Sequence, residues 1–259
     1  MERRNNSNSQ GHLAVVGTGP GPVDLICPRA RDAIAAAQVV LGYRTYLELI
    51  SELLRPDQEI TGSAMMQEVE RCSKALDLAS QGRSVALVCG GDPGIYAMAG
   101  LVYQLARTEG QPVDIEIIPG IPALSACAAL LGAPLMHDFA AISLSDLLTP
   151  WEIIERRLKL AAEADFVIAI YNPASKKRRE HIKKAATMIL EHRSPDTPVG
   201  VVTAAYRSGQ SIQLVTLDQL AREHLDITMQ STVIVGNSRT FTWNNRMITP
   251  RGYEDKYAI

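Results

Sequence analysis

The chain has 259 residues, more than the ~100–200 of a typical single domain, so two domains or one large α/β unit are the natural choices. Hydrophobic residues make up 46% and charged residues 21%, which excludes wholesale disorder. The net charge of -2 and a pI near 6.2 disfavour a polyanionic partner, so no nucleic acid is expected. The four cysteines form no C-x-x-C pair and the five histidines no H-x-x-x-H pair. Reduced thiols, a cytoplasmic setting and no protein-held metal site are therefore expected.

Residues 1–11 open with the polar string MERRNNSNSQ and are expected to be a flexible tail without the apolar core of a secretory signal. No run of ~18 apolar residues suggests a membrane span. Leu13 to Gly17 predicts a strand, Arg29 to Gln38 a helix, and Val39 to Leu41 a second strand. The spacing of Met66, Val69, Leu76 and Leu78 among charges predicts an amphipathic helix over Met65 to Gln81. Val85 to Cys89 reads as a strand, followed by a helix from about Ile95 to Arg107. Ile115 to Ile118 reads as another strand, followed by a helix over Ala123 to Leu131.

Gly132-Ala133-Pro134 suggests a boundary, with an N-terminal α/β domain over 12–135 and a C-terminal α/β domain over 136–259. Trp151 to Ala162 reads as a helix with Thr149 as cap and Pro150 at its first position. Phe166 to Ile170 reads as a buried strand, and Lys176 to His192 as a charged helix. Val199 to Thr203, Ile212 to Thr216, Thr232 to Val235 and Met247 to Thr249 read as strands, and this strand-rich tail predicts a mixed sheet.

Three glycine-bearing turns follow predicted strands. Gly17-Thr18-Gly19-Pro20-Gly21-Pro22 resembles a dinucleotide fingerprint, but Pro22 stands where its third glycine belongs, and the helix begins late. It is either a site for close backbone approach to a ligand or an ordinary turn. In Cys89-Gly90-Gly91-Asp92-Pro93-Gly94-Ile95, Asp92 is either an acceptor for ligand hydroxyls or amines, or a helix cap. Pro119-Gly120-Ile121-Pro122-Ala123 is the third. Ligands bind outside the carboxyl ends of strands in open α/β sheets, so the three turns can share one cleft. His137, Asp138, Ser143, Ser145 and Asp146 form a polar stretch, either substrate-binding or a linker. The run Lys176-Lys177-Arg178-Arg179 is either a solvated helix face or a carboxylate-binding rim, and Arg44, Arg207 and Arg251 are further cations of that type.

In this order the segments VVGTGPG, GGDPGIY and PGIPA resemble the tetrapyrrole methylase family. LGYRTYLELI, HDFAAISLSDLLTPW, YNPASKKR and TPRGY are most similar to its C-17-methylating branch. The resemblance spans about Leu13 to Tyr253. It implies a two-domain α/β fold with the active site in a cleft between the domains, and a homodimer. It implies S-adenosylmethionine as methyl donor, with S-adenosylhomocysteine as product, held by Pro20, Gly90, Gly91, Asp92, Ile95, Pro122, Ala123, Asn172 and Ala205.

The implied substrate is a precorrin-3-type tetrapyrrole of cobalamin biosynthesis, with or without cobalt, methylated at C-17 with ring contraction. Arg44, Lys176, Arg178 and Arg207 are candidates to orient its carboxylates. Proton loss and lactone formation call for a general acid or base, for which Asp24, His137, Asp138 and Asp146 are candidates. The family commonly has an acidic residue directly after G-x-G-P-G; here that place is Pro22, with Asp24 two residues on. A sister enzyme acting at C-11 or C-20, a nucleotide-dependent oxidoreductase and a non-catalytic corrinoid-binding protein are the competing readings.

Overall fold

The computed structural model describes residues 11–110, 113–175 and 178–258. The chain divides into two compact units, Met1–Ala123 and Leu124–Ile259. The first contains β1 (His12–Gly17), α1 (Pro28–Ala36), β2 (Val39–Tyr43), α2 (Arg44–Leu49), β3 (Glu59–Ser63), α3 (Glu68–Ser80), β4 (Ser84–Cys89), α4 (Ala99–Glu109) and β5 (Asp114–Ile118). Its sheet has the order β3-β2-β4-β1-β5, and every neighbouring pair is parallel.

Parallel strands need helical crossovers, and these cover both faces of the sheet, so the strands are continuous apolar runs. In β1, Leu13 and Val15 join a core with Cys72, Ala75 and Leu76 of α3, whereas Ala14 and Val16 join one with Ala30 and Ile34 of α1. This order sets the carboxyl ends of β4, β1 and β5 side by side.

The helix α5 (Ala123–Leu131) leads into the second unit. There follow β6 (Gly132–Ala133), β7 (Phe139–Ser143), α6 (Trp151–Glu163), β8 (Val167–Tyr171), α7 (His181–Leu190), β9 (Pro198–Thr203), β10 (Ser211–Thr216), α8 (Leu217–Arg222), β11 (Ser231–Val235), β12 (Phe241–Trp243) and β13 (Arg246–Ile248). The main sheet, β10-β9-β11-β8-β7, is mixed: β7 runs parallel to β8, and the other pairs are antiparallel. Helices α6, α7 and α8 cover one face through Ile154, Leu158, Ile182, Ala186 and Leu217. Cys127, Ala128 and Leu131 of α5 cover the other, against Val167, Val202 and Ile234.

Three expectations need correction. The division falls at the start of α5 rather than at 135/136, because α5 lays its apolar side on the second sheet. Gly200 makes room for it: a Cβ there would lie 2.4 Å from Leu131. Thr149 caps nothing; extended Pro150 is the cap residue of α6, and Trp151 opens the helix. The charged helix begins at His181 rather than Lys176, so Arg178 and Arg179 precede it. Left-handed residues also delay two helices, Met66 (φ 65°) before α3 and Tyr96 (φ 52°) before α4. No helix among the described residues is long and apolar enough to cross a membrane. The tail expected over residues 1–11 lies, except for Gly11, outside the described residues.

Candidate functional site

In the first unit the three glycine turns meet. Gly19 and Gly91 exchange backbone hydrogen bonds, Gly19 N–H to Gly91 O at 3.1 Å and Gly91 N–H to Gly19 O at 2.8 Å. Both are left-handed, with φ of 69° and 70°, a conformation that favours glycine. Thr18 donates to the Cys89 carbonyl through its backbone N–H (2.9 Å) and its hydroxyl (3.0 Å). The third turn packs equally close: a Cβ on Gly120 would lie 2.2 Å from Gly91 O and 2.8 Å from the carbonyl carbon of Gly17.

Asp92 ties two of these turns together. Its Oδ1 accepts the Gly94 N–H at 2.8 Å and its Oδ2 the Gly120 N–H at 3.1 Å. It is no helix cap, since Met98 is the cap residue of α4. The result is a rim of backbone at the carboxyl ends of three adjacent strands. Gly90, Gly91, Ile95, Pro122 and Ala123 are half-buried on it and Pro20 is buried beneath. Asp24 is exposed in a single 3-10 turn over Val23–Leu25, and Arg44 is exposed at the start of α2.

Two residues in the first unit escaped the sequence reading. Tyr46 packs so closely on Gly90 that a Cβ there would lie 2.4 Å from its ring. Buried Arg71 donates to Met98 Sδ at 3.2 Å and to the Ser63 hydroxyl. The signal was present for Arg71, which shares the helical stripe of Cys72, Ala75 and Ala79. Cys89 is no nucleophile at neutral pH, because burial pushes its thiol up to about 12.

In the second unit β8 and β9 both run antiparallel to β11, and β7 runs parallel to β8. The loops after β7, β8 and β9 therefore share one edge. Three non-glycine residues on them are left-handed: Asn172 (φ 50°), Ala204 (φ 49°) and Tyr206 (φ 60°). Such strain persists only where the surroundings hold it, and it concentrates at ligand-binding loops. Asn172 donates through Nδ2 to Ser143 Oγ at 2.9 Å. Ala205 lies between the other two strained residues, and half-buried Arg207 bonds its backbone N–H to Ala204 O at 2.9 Å.

Asp146 sits at this edge, 3.5 Å from Arg178 Nε and 3.3 Å from His181 Nε2. Arg178 also donates to Leu144 O at 3.0 Å, leaving its side chain only 11% exposed. It is thus engaged in holding the loop after β7. The ring of His181 meets Trp151 edge-on with centroids 4.4 Å apart. His181 was also missed; only the fold brings it to Asp146. His137 and Asp138 precede β7, at its amino end, so the length of the strand, roughly 16 Å for five residues, separates them from Asp146. The His137 ring accepts the Asp138 N–H at 2.8 Å. The structure therefore does not gather His137, Asp138 and Asp146 at one point. Lys176 lies outside the described residues.

A parallel α/β unit with backbone-lined turns at its carboxyl edge, followed by a mixed α/β unit, defines a two-domain α/β protein built around loop-borne sites. The family model described as Tetrapyrrole (Corrin/Porphyrin) Methylases matches residues 12–221. The cobalt-factor III methyltransferase of Priestia megaterium is 48% identical over 96% of this chain, which spans 46% of that protein's length. A probable cobalt-factor III C(17)-methyltransferase of Salmonella typhimurium is 47% identical, with 93% of this chain and 99% of that one covered. The crystal structure of the methyltransferase CobJ superposes with a TM-score of 0.86 at 36% identity, covering 93% of this chain and all of that one. The chain belongs to the tetrapyrrole methylases and has their two-domain α/β fold.

Proposed function

We propose that this protein transfers a methyl group from S-adenosylmethionine to C-17 of a precorrin-3-type tetrapyrrole, with ring contraction, in cobalamin biosynthesis. Both relatives' names favour a cobalt-bearing substrate, and the name of the Salmonella typhimurium relative supports the ring position. The observation that carries the donor assignment is the backbone rim where Gly17, Gly91 and Gly120 pack without side chains between them. Such a rim fits a donor recognised through peptide N–H and carbonyl groups, with Pro20, Gly90, Gly91, Ile95, Pro122 and Ala123 as its contacts. It does not fit a dinucleotide pyrophosphate, because no α-helix begins at the first turn: only a three-residue 3-10 turn follows it, and α1 opens at Pro28.

When bound, S-adenosylmethionine supplies an already activated methyl group, so no protein nucleophile is needed. The protein's contribution is alignment and exclusion of water. Asp92 keeps the second and third turns in register for this. In the second unit the strained loops bearing Asn172 and Ala205 are candidate donor-binding loops, and half-buried Arg207 is a candidate for a substrate carboxylate. Exposed Arg44 remains a candidate cation for a substrate carboxylate, and exposed Asp24 a candidate general acid or base. A homodimer in the cytoplasm completes the proposal, tested by light scattering and cell fractionation.

The decisive experiment is incubation with methyl-labelled S-adenosylmethionine and cobalt-factor III, with precorrin-3B in parallel, followed by NMR of the product. A labelled methyl on C-17 together with S-adenosylhomocysteine is expected. A label on C-11 or C-20 overturns the ring position, and tetrapyrrole binding without S-adenosylhomocysteine formation overturns catalysis.

A further inference from the structure

We propose that Leu147 and Leu148 form an apolar contact for the face of the tetrapyrrole, an inference that rests on the function proposed above. Leu147 is 71% and Leu148 97% exposed. Water is a poor environment for a leucine side chain, and two adjacent exposed leucines on one loop call for an occupant.

The loop that carries them is held on both flanks. On the amino side, Ser145 N–H donates to Ser143 Oγ at 3.2 Å, and Leu144 O accepts from Arg178. Asp146, directly before the pair, is held between Arg178 and His181. On the carboxyl side, Trp151 opens α6 and packs its ring on that of His181. The leucines are thus presented by a fixed frame, which lowers the ordering cost of a contact.

The loop follows β7, at the edge where the strained loops after β8 and β9 also lie. The tetrapyrrole acid is flat and apolar on its faces and carboxylated at its rim. The same edge supplies both complements, the leucines for a face and the cations Arg179 and Arg207 for the rim. A second copy of the chain is the competing occupant. Two leucines cover a small part of the ~800 Å² per partner that a standard interface buries, and their neighbours Ser145, Asp146 and Thr149 are polar.

The test is a double variant, Leu147→Ser with Leu148→Ser, beside Leu147→Met with Leu148→Met. Cobalt-factor III binding is read by absorbance titration, S-adenosylhomocysteine binding by calorimetry, mass by light scattering, and product by NMR. The serine pair is expected to weaken tetrapyrrole binding and raise its KM by roughly tenfold or more, with affinity for S-adenosylhomocysteine and thermal midpoint unchanged. The methionine pair is expected to restore binding. If the serine variant binds and methylates like wild type, the inference is overturned while C-17 methylation stands; a drop in mass then assigns the leucines to a second copy. If wild type binds the tetrapyrrole without methylating C-17 and the serine pair loses binding, the function falls and the contact stands. If wild type binds no tetrapyrrole, both fall.

Discussion

Replacing Asp92 by alanine tests how the proposed donor cradle is held together. The carboxylate makes two bonds of different kinds. The one to Gly94, at 2.8 Å, is local, and water can take its place because Gly94 is exposed. The one to Gly120, at 3.1 Å, joins turns 28 residues apart and is partly buried. A hydrogen bond to a charged group contributes about 1.5–3 kcal/mol, so the cross-turn bond dominates and the net loss is of that size. If the cradle binds only when its turns are in register, S-adenosylhomocysteine affinity falls at least roughly tenfold, since 1.4 kcal/mol is a factor of ten. Asp92→Asn keeps one acceptor oxygen and should fall between wild type and alanine. Titration calorimetry gives the affinities and thermal unfolding confirms the fold. A folded Asp92→Ala protein with wild-type affinity would refute the tether.

Gly120→Ala places a Cβ 2.2 Å from Gly91 O, a backbone atom that no rotamer change can move aside, so a loss of ~1–3 kcal/mol and of S-adenosylhomocysteine binding is expected. A wild-type thermal midpoint would show that the turns do not pack as described. Arg193 is buried, pairs with Asp165 and donates to Phe166 O at 3.0 Å, whereas the Asp165 side chain is 44% exposed and keeps its bonds from Ser238; Arg193→Ala should therefore cost about 1–3 kcal/mol in urea unfolding, and a wild-type midpoint would contradict the pairing. Burial raises the thiols of Cys72 and Cys127 from 9.0 to about 11 and that of Cys89 to about 12. An unfolded chain then ionises first, so stability is intact below pH 9 and declines as pH rises through 11 to 12; a urea midpoint that stays flat across this window would refute the assignment.

What could be read in the sequence follows from burial. The strands β1, β4 and β8 are buried on both faces and stand out as apolar runs. The strand β3 escaped because it is a sheet edge with mostly exposed residues, EITGS, and β7, FAAIS, is likewise an edge. The helix α2 follows β2 with no intervening loop, so no turn residue announces it. The three glycine turns were visible singly; their adjacency depends on the strand order, a long-range property. Asp92 was visible as a motif residue, whereas its bond to Gly120 was not. The sequence offers Arg178 as part of a solvated helix face or of a carboxylate-binding rim, but not as a loop tether, because its partner Leu144 lies 34 residues earlier.

The two units make their edges by different means, and the difference bears on what each can recognise. At the first edge the contacts are backbone to backbone, and side chains enter by being absent, as at Gly17, Gly91 and Gly120, or by tying backbone in place, as with Asp92. Peptide groups are the same in every sequence, so an edge of this kind suits a ligand that does not change from one enzyme of the family to the next. At the second edge the frame is made of side chains: Ser143 with Asn172, and Asp146 with Arg178 and His181. These side chains hold the loop that carries Leu147 and Leu148. Such an edge suits the partner that differs between methylases, the ring carbon that accepts the methyl group. Discrimination among ring positions should therefore respond to substitutions at Asp146, Arg178 and His181, and donor affinity to those at Asp92 and Gly120.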